Sequence, residues 1–425
     1  MTQPPLMGGA AAGNASLATG PLDRWLGRLA DQDGELGRLL RPVWQQQLAE
    51  GYGHTLREIC QQPVTWTETA THAAAGIPIL KRVLEEAGIE ARQGALVLTG
   101  SGSSLYAGEC VALPLQAALH VPATAVPAGL LLTHPEGSLP PSGPYLVISL
   151  ARSGNSPESR AVLDALLREQ PQSRHLVITS NREGALATAY RAVPTVTTLI
   201  LDEKTNDKSL VMTSSFTNIV LAAGVLRSTG DLRGYEARAR TLAGAAVGLL
   251  AGLADRLAAT ARSAFSSVVY LGSGCRLGAA KEGALKMLEM NAGAVWTMAE
   301  SYLGLRHGPM SAIRSDTLVV ALLSSEPVTR AYEIDLLREL GRKELGARKV
   351  VVGAGVPADV VAPEDLVVDC GDGLLGDADL VLIDALVGQL LSFFRCLRTG
   401  LHPDSPSADG IIHRVVSGFE IHRRS

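Results

Sequence analysis

The chain has 425 residues, which is enough for two domains with full cores. Its 38 Lys+Arg against 42 Asp+Glu leave a net charge of −4, so no basic footprint for nucleic acid is present. An apolar share of 46% with 4% aromatics suits an Ala/Leu/Val-rich α/β enzyme, and no apolar run reads as a membrane span. Five scattered cysteines (Cys60, Cys110, Cys275, Cys370, Cys396) show no CxxC spacing, and nine histidines form no HxxxH pair. The expectations are reduced thiols in the cytoplasm, no required metal and no cofactor.

Residues 1–20 are rich in Gly, Ala and Pro and read as a disordered leader, without the basic start and apolar core of a signal peptide. Residues 21–50 place Trp25, Leu26, Leu29, Leu36, Leu39 and Leu40 on one helical face. In the next stretch, HTLREICQQPVTWTETA, Pro63 breaks or starts a helix that is expected to lie across a domain or a partner. A helix over 74–87 then leads to the strand ALVLTG at 95–100 and the turn Ser101-Gly102-Ser103-Ser104.

The organising stretch is YLVISLARSGNSPES at 145–159. An apolar run reads as a strand buried on both faces. It breaks into Ser153, Gly154, Asn155 and Ser156, and Pro157 opens a helix. Serine at the N-cap and proline at the first helical position are helix-start signals. A helix N-terminus exposes N–H groups that favour an anion, so this is read as a phosphate-binding turn. Arg152 either adds charge or faces solvent. The alternative is a capped turn without a ligand.

Further strands are expected at 175–180 and in TVTTLIL, after which Thr213-Ser214-Ser215 head a helix, either as phosphate ligands or as a plain cap. The charged, glycine-broken stretch 227–240 is read as a domain linker. Beyond it the chain repeats itself: VLTGSGSS at 97–104 matches VYLGSGCR at 269–276, with Gly102 and Gly274 172 positions apart. Strands at 316–324, 347–355 and 365–370 and a closing helix at 378–398 complete the rhythm. Alternation of this kind implies parallel sheets covered on both sides.

Two further stretches carry chemistry. In KEGALKMLEM, Glu282, Lys286 and Glu289 share one helical face. They form either a solvated ion-pair ladder or, at the carboxyl edge of a strand, a proton-transfer set. In ESYLGLRHGP, His307 precedes Gly308-Pro309 on a loop tip, where an imidazole either suits opening a sugar ring or, as for most lone loop histidines, is incidental.

Taken together, GSGSS, RSGNSPES, EKTNDKSLVMTSSFTN, EGALKMLE, LGLRHGP and the tail HRVVSGFEIH resemble the sugar isomerase (SIS) domain in two copies. They are most similar to the galactosamine-6-phosphate deaminase/isomerase family, also called tagatose-6-phosphate ketose/aldose isomerase, and more distantly to the isomerase half of glucosamine-6-phosphate synthase. The resemblance implies two three-layer α/β/α domains, at 53–230 and 241–400, after a leader and helix at 1–52 and before a tail at 401–425. It implies that Ser103, Ser104, Ser153 and Ser156 hold the sugar phosphate, with Arg152, Thr213 and Ser214 nearby. Glu289 would shuttle the proton between C1 and C2 beside Lys286. His307 would open the ring, and in the synthase it comes from the neighbouring subunit, which implies at least a homodimer.

Departures from the family pattern are Ala151 for serine in the phosphate loop, no lysine at the Schiff-base position, and His413 where asparagine usually precedes Arg414. No cysteine nucleophile follows Met1, which favours ammonia release over synthesis from glutamine. The expected substrate is galactosamine 6-phosphate. Alternatives are a simple aldose–ketose isomerase, a glucosamine-6-phosphate deaminase and a sugar-phosphate sensor.

Overall fold

The computed structural model describes residues 20–422 apart from 372, 408, 417 and 419; the leader expected at 1–20 lies almost wholly outside them. The N-terminal helical face is real but divided into Pro21–Ala30, Glu35–Leu40 and Trp44–Ala49. The first break ends at Gly34, whose φ of +124° suits glycine alone. The second contains Pro42, whose carbonyl accepts from Gln47 Nε2 at 2.7 Å. The predicted apolar positions point inward, with Trp25, Leu26, Leu29, Leu36 and Leu39 buried.

Helices α1 (Gly53–Cys60) and α2 (Gln62–Ala75) follow, and Pro63 starts the second. This stretch is interior, not a surface strap. Trp66 is fully buried and donates to Thr217 Oγ1 at 2.9 Å, and Gln62 donates to Gln389 Oε1 at 2.7 Å. Helix α2 thereby ties the two halves of the chain together.

The first sheet comprises β1 (Ala95–Gly100), β2 (Ala123–Pro127), β3 (Tyr145–Ala151), β4 (Arg174–Thr179) and β5 (Val196–Ile200), all parallel, in the order β2-β1-β3-β4-β5. Every residue of the central β3 is buried, which is why it reads as an unbroken apolar run. Its helices include α3 (Ser103–Leu119), α4 (Pro157–Glu169) and α5 (Ser214–Gly224).

The stretch expected as a linker is helical instead. Helix α6 runs from Leu232 to Gly252, and its charged N-terminal half buries Tyr235 and Ala239, so the chain passes between the sheets without a loose joint. A 57° bend then leads into the helix Ala254–Arg262.

The second sheet comprises β6 (Ser267–Leu271), β7 (Trp296–Glu300), β8 (Thr317–Leu322), β9 (Arg348–Val352) and β10 (Leu366–Val368). All pairings are parallel, in the order β10-β9-β8-β6-β7. Counted by appearance, both sheets run 2-1-3-4-5, and the two GSG turns follow the first strand of each. The main helices are α7 (Arg276–Met290), α8 (Pro327–Arg342) and α9 (Asp377–Arg398). Among the described residues, α9 is the one unbroken helix long and apolar enough to cross a membrane, and 89% of its apolar window is buried. It is a core helix packed on α7.

Helices α3 and α7 are repeat equivalents and pack directly on each other. A Cβ on Gly278 would stand 2.8 Å from Cys110 Sγ, so only glycine allows this approach. Lys281 pairs with Glu109 at 2.7 Å across the same seam, again 172 positions apart.

Candidate active site

Strand order reverses between β1 and β3, and a crevice of about 380 Å³ opens there. One wall is the turn after β1, where Gly102 takes φ +55° and delivers the nearly buried Ser103 and Ser104 at the head of α3. The other wall is the loop after β3, with Arg152, Ser153 and Ser156. Gly154 turns this loop at φ +63°, and Ser156 stands in extended conformation just before Pro157. The Ser156 hydroxyl makes no cap hydrogen bond to α4. The two serine turns expected from the sequence therefore meet in one place.

Arg152 does not face solvent. It is buried, and its Nη1 donates to the carbonyls of Leu210 (2.9 Å) and Val211 (3.0 Å) while its Nη2 donates to that of Arg414 (2.6 Å). Burial, together with the Arg414 charge, lowers its pKa to about 10, so it stays cationic near neutrality.

The charged helical face arrives from the second repeat. It is not a solvated ladder: Lys286 and Glu282 are fully buried. Lys286 Nζ donates to Ser103 Oγ at 3.1 Å, pairs closely with the Glu289 carboxylate and lies 3.4 Å from Glu282. Burial opposes the lysine charge, but the Glu282 and Glu289 carboxylates hold its pKa above the ordinary value. Burial likewise raises Glu282 to about 7 against the pull of Lys286. Of the three, Glu289 lines the crevice. The phosphate-type turns of one repeat thus face a carboxylate–ammonium–carboxylate chain from the other.

Two expected ligands are elsewhere. Thr213 and Ser214 are fully buried and do not border the crevice. They belong to the head of α5, where Asp207 accepts from Thr213 N (2.7 Å), Ser214 Oγ (2.6 Å) and Ser215 N (2.8 Å). His307 is exposed at the end of the short helix Tyr302–Leu305 and does not border this chain's own crevice.

Two carboxylates escaped the sequence reading. Besides Asp207, Glu58 of α1 accepts from Lys208 N and from the amide and hydroxyl of Ser209. Burial, then the Asp207 charge, raises Glu58 to about 8. Asp207 lies inside EKTNDKSLVMTSS, so its position before a helix head was a usable signal; Glu58 offered none. The tail also enters: Ile411, Ile412, His413, Arg414 and Val416 border the crevice. Among the described residues no group of three or more His, Cys, Asp or Glu side chains is placed to hold a metal ion.

The second sheet has an equivalent reversal between β6 and β8, and there the loops carry internal ion pairs. Arg276 stands where the first repeat has Ser104. It is fully buried, pairs with Asp384 at 2.5 Å and donates to the Leu323 carbonyl. Asp377 accepts from Ser324 Oγ (2.5 Å) and Ser325 N (2.7 Å) on the loop before Pro327.

No protein-family model matches the chain. A Streptomyces coelicolor relative is 37% identical, with the alignment covering 87% of this chain and 95% of the relative. The D-galactosamine-6-phosphate deaminase of Escherichia coli is 34% identical over the same shares. This chain belongs to the D-galactosamine-6-phosphate deaminase family. The crystal structure of tagatose-6-phosphate ketose/aldose isomerase from Escherichia coli superposes with a TM-score of 0.79 at 31% identity, covering 87% of this chain and 96% of that one. Family members are enzymes of sugar-phosphate chemistry, and the doubled sugar isomerase fold expected from the sequence is the fold observed.

Proposed function

We propose that the chain converts galactosamine 6-phosphate to tagatose 6-phosphate and ammonia. The observation that carries this reading is the junction of Ser103 with Lys286: a phosphate-type turn and an acid–base chain share one crevice. Ser104, Ser153 and Ser156 take the phosphate, helped by the N-terminus of α4. Glu289 removes the proton from C2 of the open-chain sugar and returns it to C1, leaving a C2 imine that water hydrolyses. Lys286, held cationic behind Glu289, compensates the charge of that carboxylate, with Glu282 on its other side.

His307 completes the site from a second copy. Leu303, four residues before it, and Leu288 and Trp296 elsewhere in the second half are each more than two-fifths exposed, apolar area suited to burial between subunits. Homodimerisation and ring opening by that imidazole belong to the same proposal.

Ammonia release from galactosamine 6-phosphate and, separately, glucosamine 6-phosphate tests the assignment. The expected outcome is ammonia from the galacto sugar, lost on the order of 100-fold or more in Glu289→Gln. The name of the Escherichia coli structural relative favours a second reading, aldose–ketose isomerisation, which needs the same proton transfer. Ketose formation from a neutral hexose phosphate without any ammonia chemistry would select it.

A further inference from the structure

Two carboxylates border the crevice, and they stand at its two ends. Glu289 of α7 is paired with Lys286, at the end where the acid–base chain enters. Glu158 stands in the first turn of α4, two residues after Ser156, at the end of the phosphate-type serines. Glu158 is half-buried, and its Oε2 is closed to solvent without a hydrogen-bond partner. No ion pair answers it either among the described residues. Arg160, the nearest basic residue on α4, turns instead to Asp164 at 3.8 Å.

The positive end of α4 tolerates a carboxylate there. A carboxylate with one oxygen shut off from water and no donor is nevertheless destabilising unless a ligand supplies the donor. A negative charge beside a phosphate berth also lowers affinity for the anion. Glu158 therefore works against the phosphate, and its use lies with another part of the ligand.

We propose that Glu158 accepts a hydrogen bond from the C4 hydroxyl of the sugar and so sets the choice of the galacto epimer, a role that rests on the deaminase reading above. With the phosphate at the serines and C2 at Glu289, the carbons between are C3, C4 and C5. The C5 oxygen closes the pyranose ring and has no hydrogen to give in that form, and C3 lies toward Glu289. The C4 hydroxyl keeps its hydrogen in both the ring and the open chain, and it is the nearest such donor to the phosphate end. C4 is also the one centre at which galactosamine and glucosamine differ. In the gluco epimer the hydroxyl leaves on the other side of the carbon, and the carboxylate stays unanswered. A site built to hydrogen-bond a hydroxyl discriminates strongly against a ligand that does not present it.

The test is Glu158→Gln, which keeps the shape and removes the charge. It is read on galactosamine 6-phosphate, on glucosamine 6-phosphate as substrate or competing ligand, and on inorganic phosphate as a competing ligand. In the variant kcat/KM for the galacto sugar falls about 10-fold, mainly through KM. The gluco sugar is handled no worse than before, and inorganic phosphate binds at least as tightly because a like charge has gone. Equal losses on both sugars, or weaker phosphate binding, would give Glu158 a structural part in the phosphate turn and overturn the inference. An unchanged galacto-to-gluco ratio overturns it too, as does an unsubstituted enzyme that treats the two sugars alike; both leave the deaminase reading intact. An unsubstituted enzyme that releases ammonia from neither sugar overturns both.

Discussion

Lys286 is fully buried yet cationic, because Glu282 and Glu289 flank it one helical turn away on either side. The spacing was legible in the sequence, whereas its burial was not, since a surface ladder has the same period. The serine turns were legible for a firmer reason: small residues between a buried strand and a proline-started helix leave few conformations. Thr213 and Ser214 show the limit. A hydroxyl at a helix head reads the same whether it meets a ligand or an internal carboxylate, and Asp207 claims this pair. At this scale Glu58 gives a pH prediction. Its pKa is raised from an ordinary 4.5 to about 8 in the folded chain, so between those values the native state holds a proton that the unfolded state has released. Stability therefore falls as pH rises through that window. Thermal unfolding should show a midpoint that drops from about pH 5 to pH 8, and Glu58→Gln should flatten the slope whatever it does to the midpoint itself.

The elements the sequence missed share a cause. Strand β7 lies at the edge of its sheet with every residue partly or largely exposed, so it lacks the apolar run that announced β3. Only the first half of helix α6 was hidden, by its charges and glycines, although Tyr235 and Ala239 are as buried as core residues. The seam between α3 and α7 offers a direct check on how closely packing sets the site. Gly278→Ala would place a methyl group 2.8 Å from Cys110 Sγ and 2.9 Å from the Cys110 amide nitrogen. The expected loss is about 1–3 kcal/mol in denaturant unfolding, with reduced turnover as Lys286 shifts from Ser103. Gly244→Ala on α6, where a Cβ meets nothing within 4 Å, should be neutral or stabilising.

For the whole molecule, the proposed sharing of His307 between copies predicts complementation. Glu289→Gln and His307→Asn homodimers should each be nearly inactive. Refolded or subunit-exchanged mixtures should recover activity, because a hybrid dimer contains one crevice with both groups intact. A mixture no more active than its parts would place the ring-opening group within a single chain.

The internal pairs between β6 and β8 make the two sheets unequal in use. The two sheets share one strand order, so the loops after β6 and β8 stand where the first sheet carries its serine turns. There Arg276 pairs with Asp384, and Asp377 takes the Ser324 hydroxyl and the Ser325 amide, so the polar groups of these loops answer one another. With those polar groups internally satisfied, helix α7 contributes Glu289 to a cavity whose other walls it does not build. Labour is divided between the two sheets.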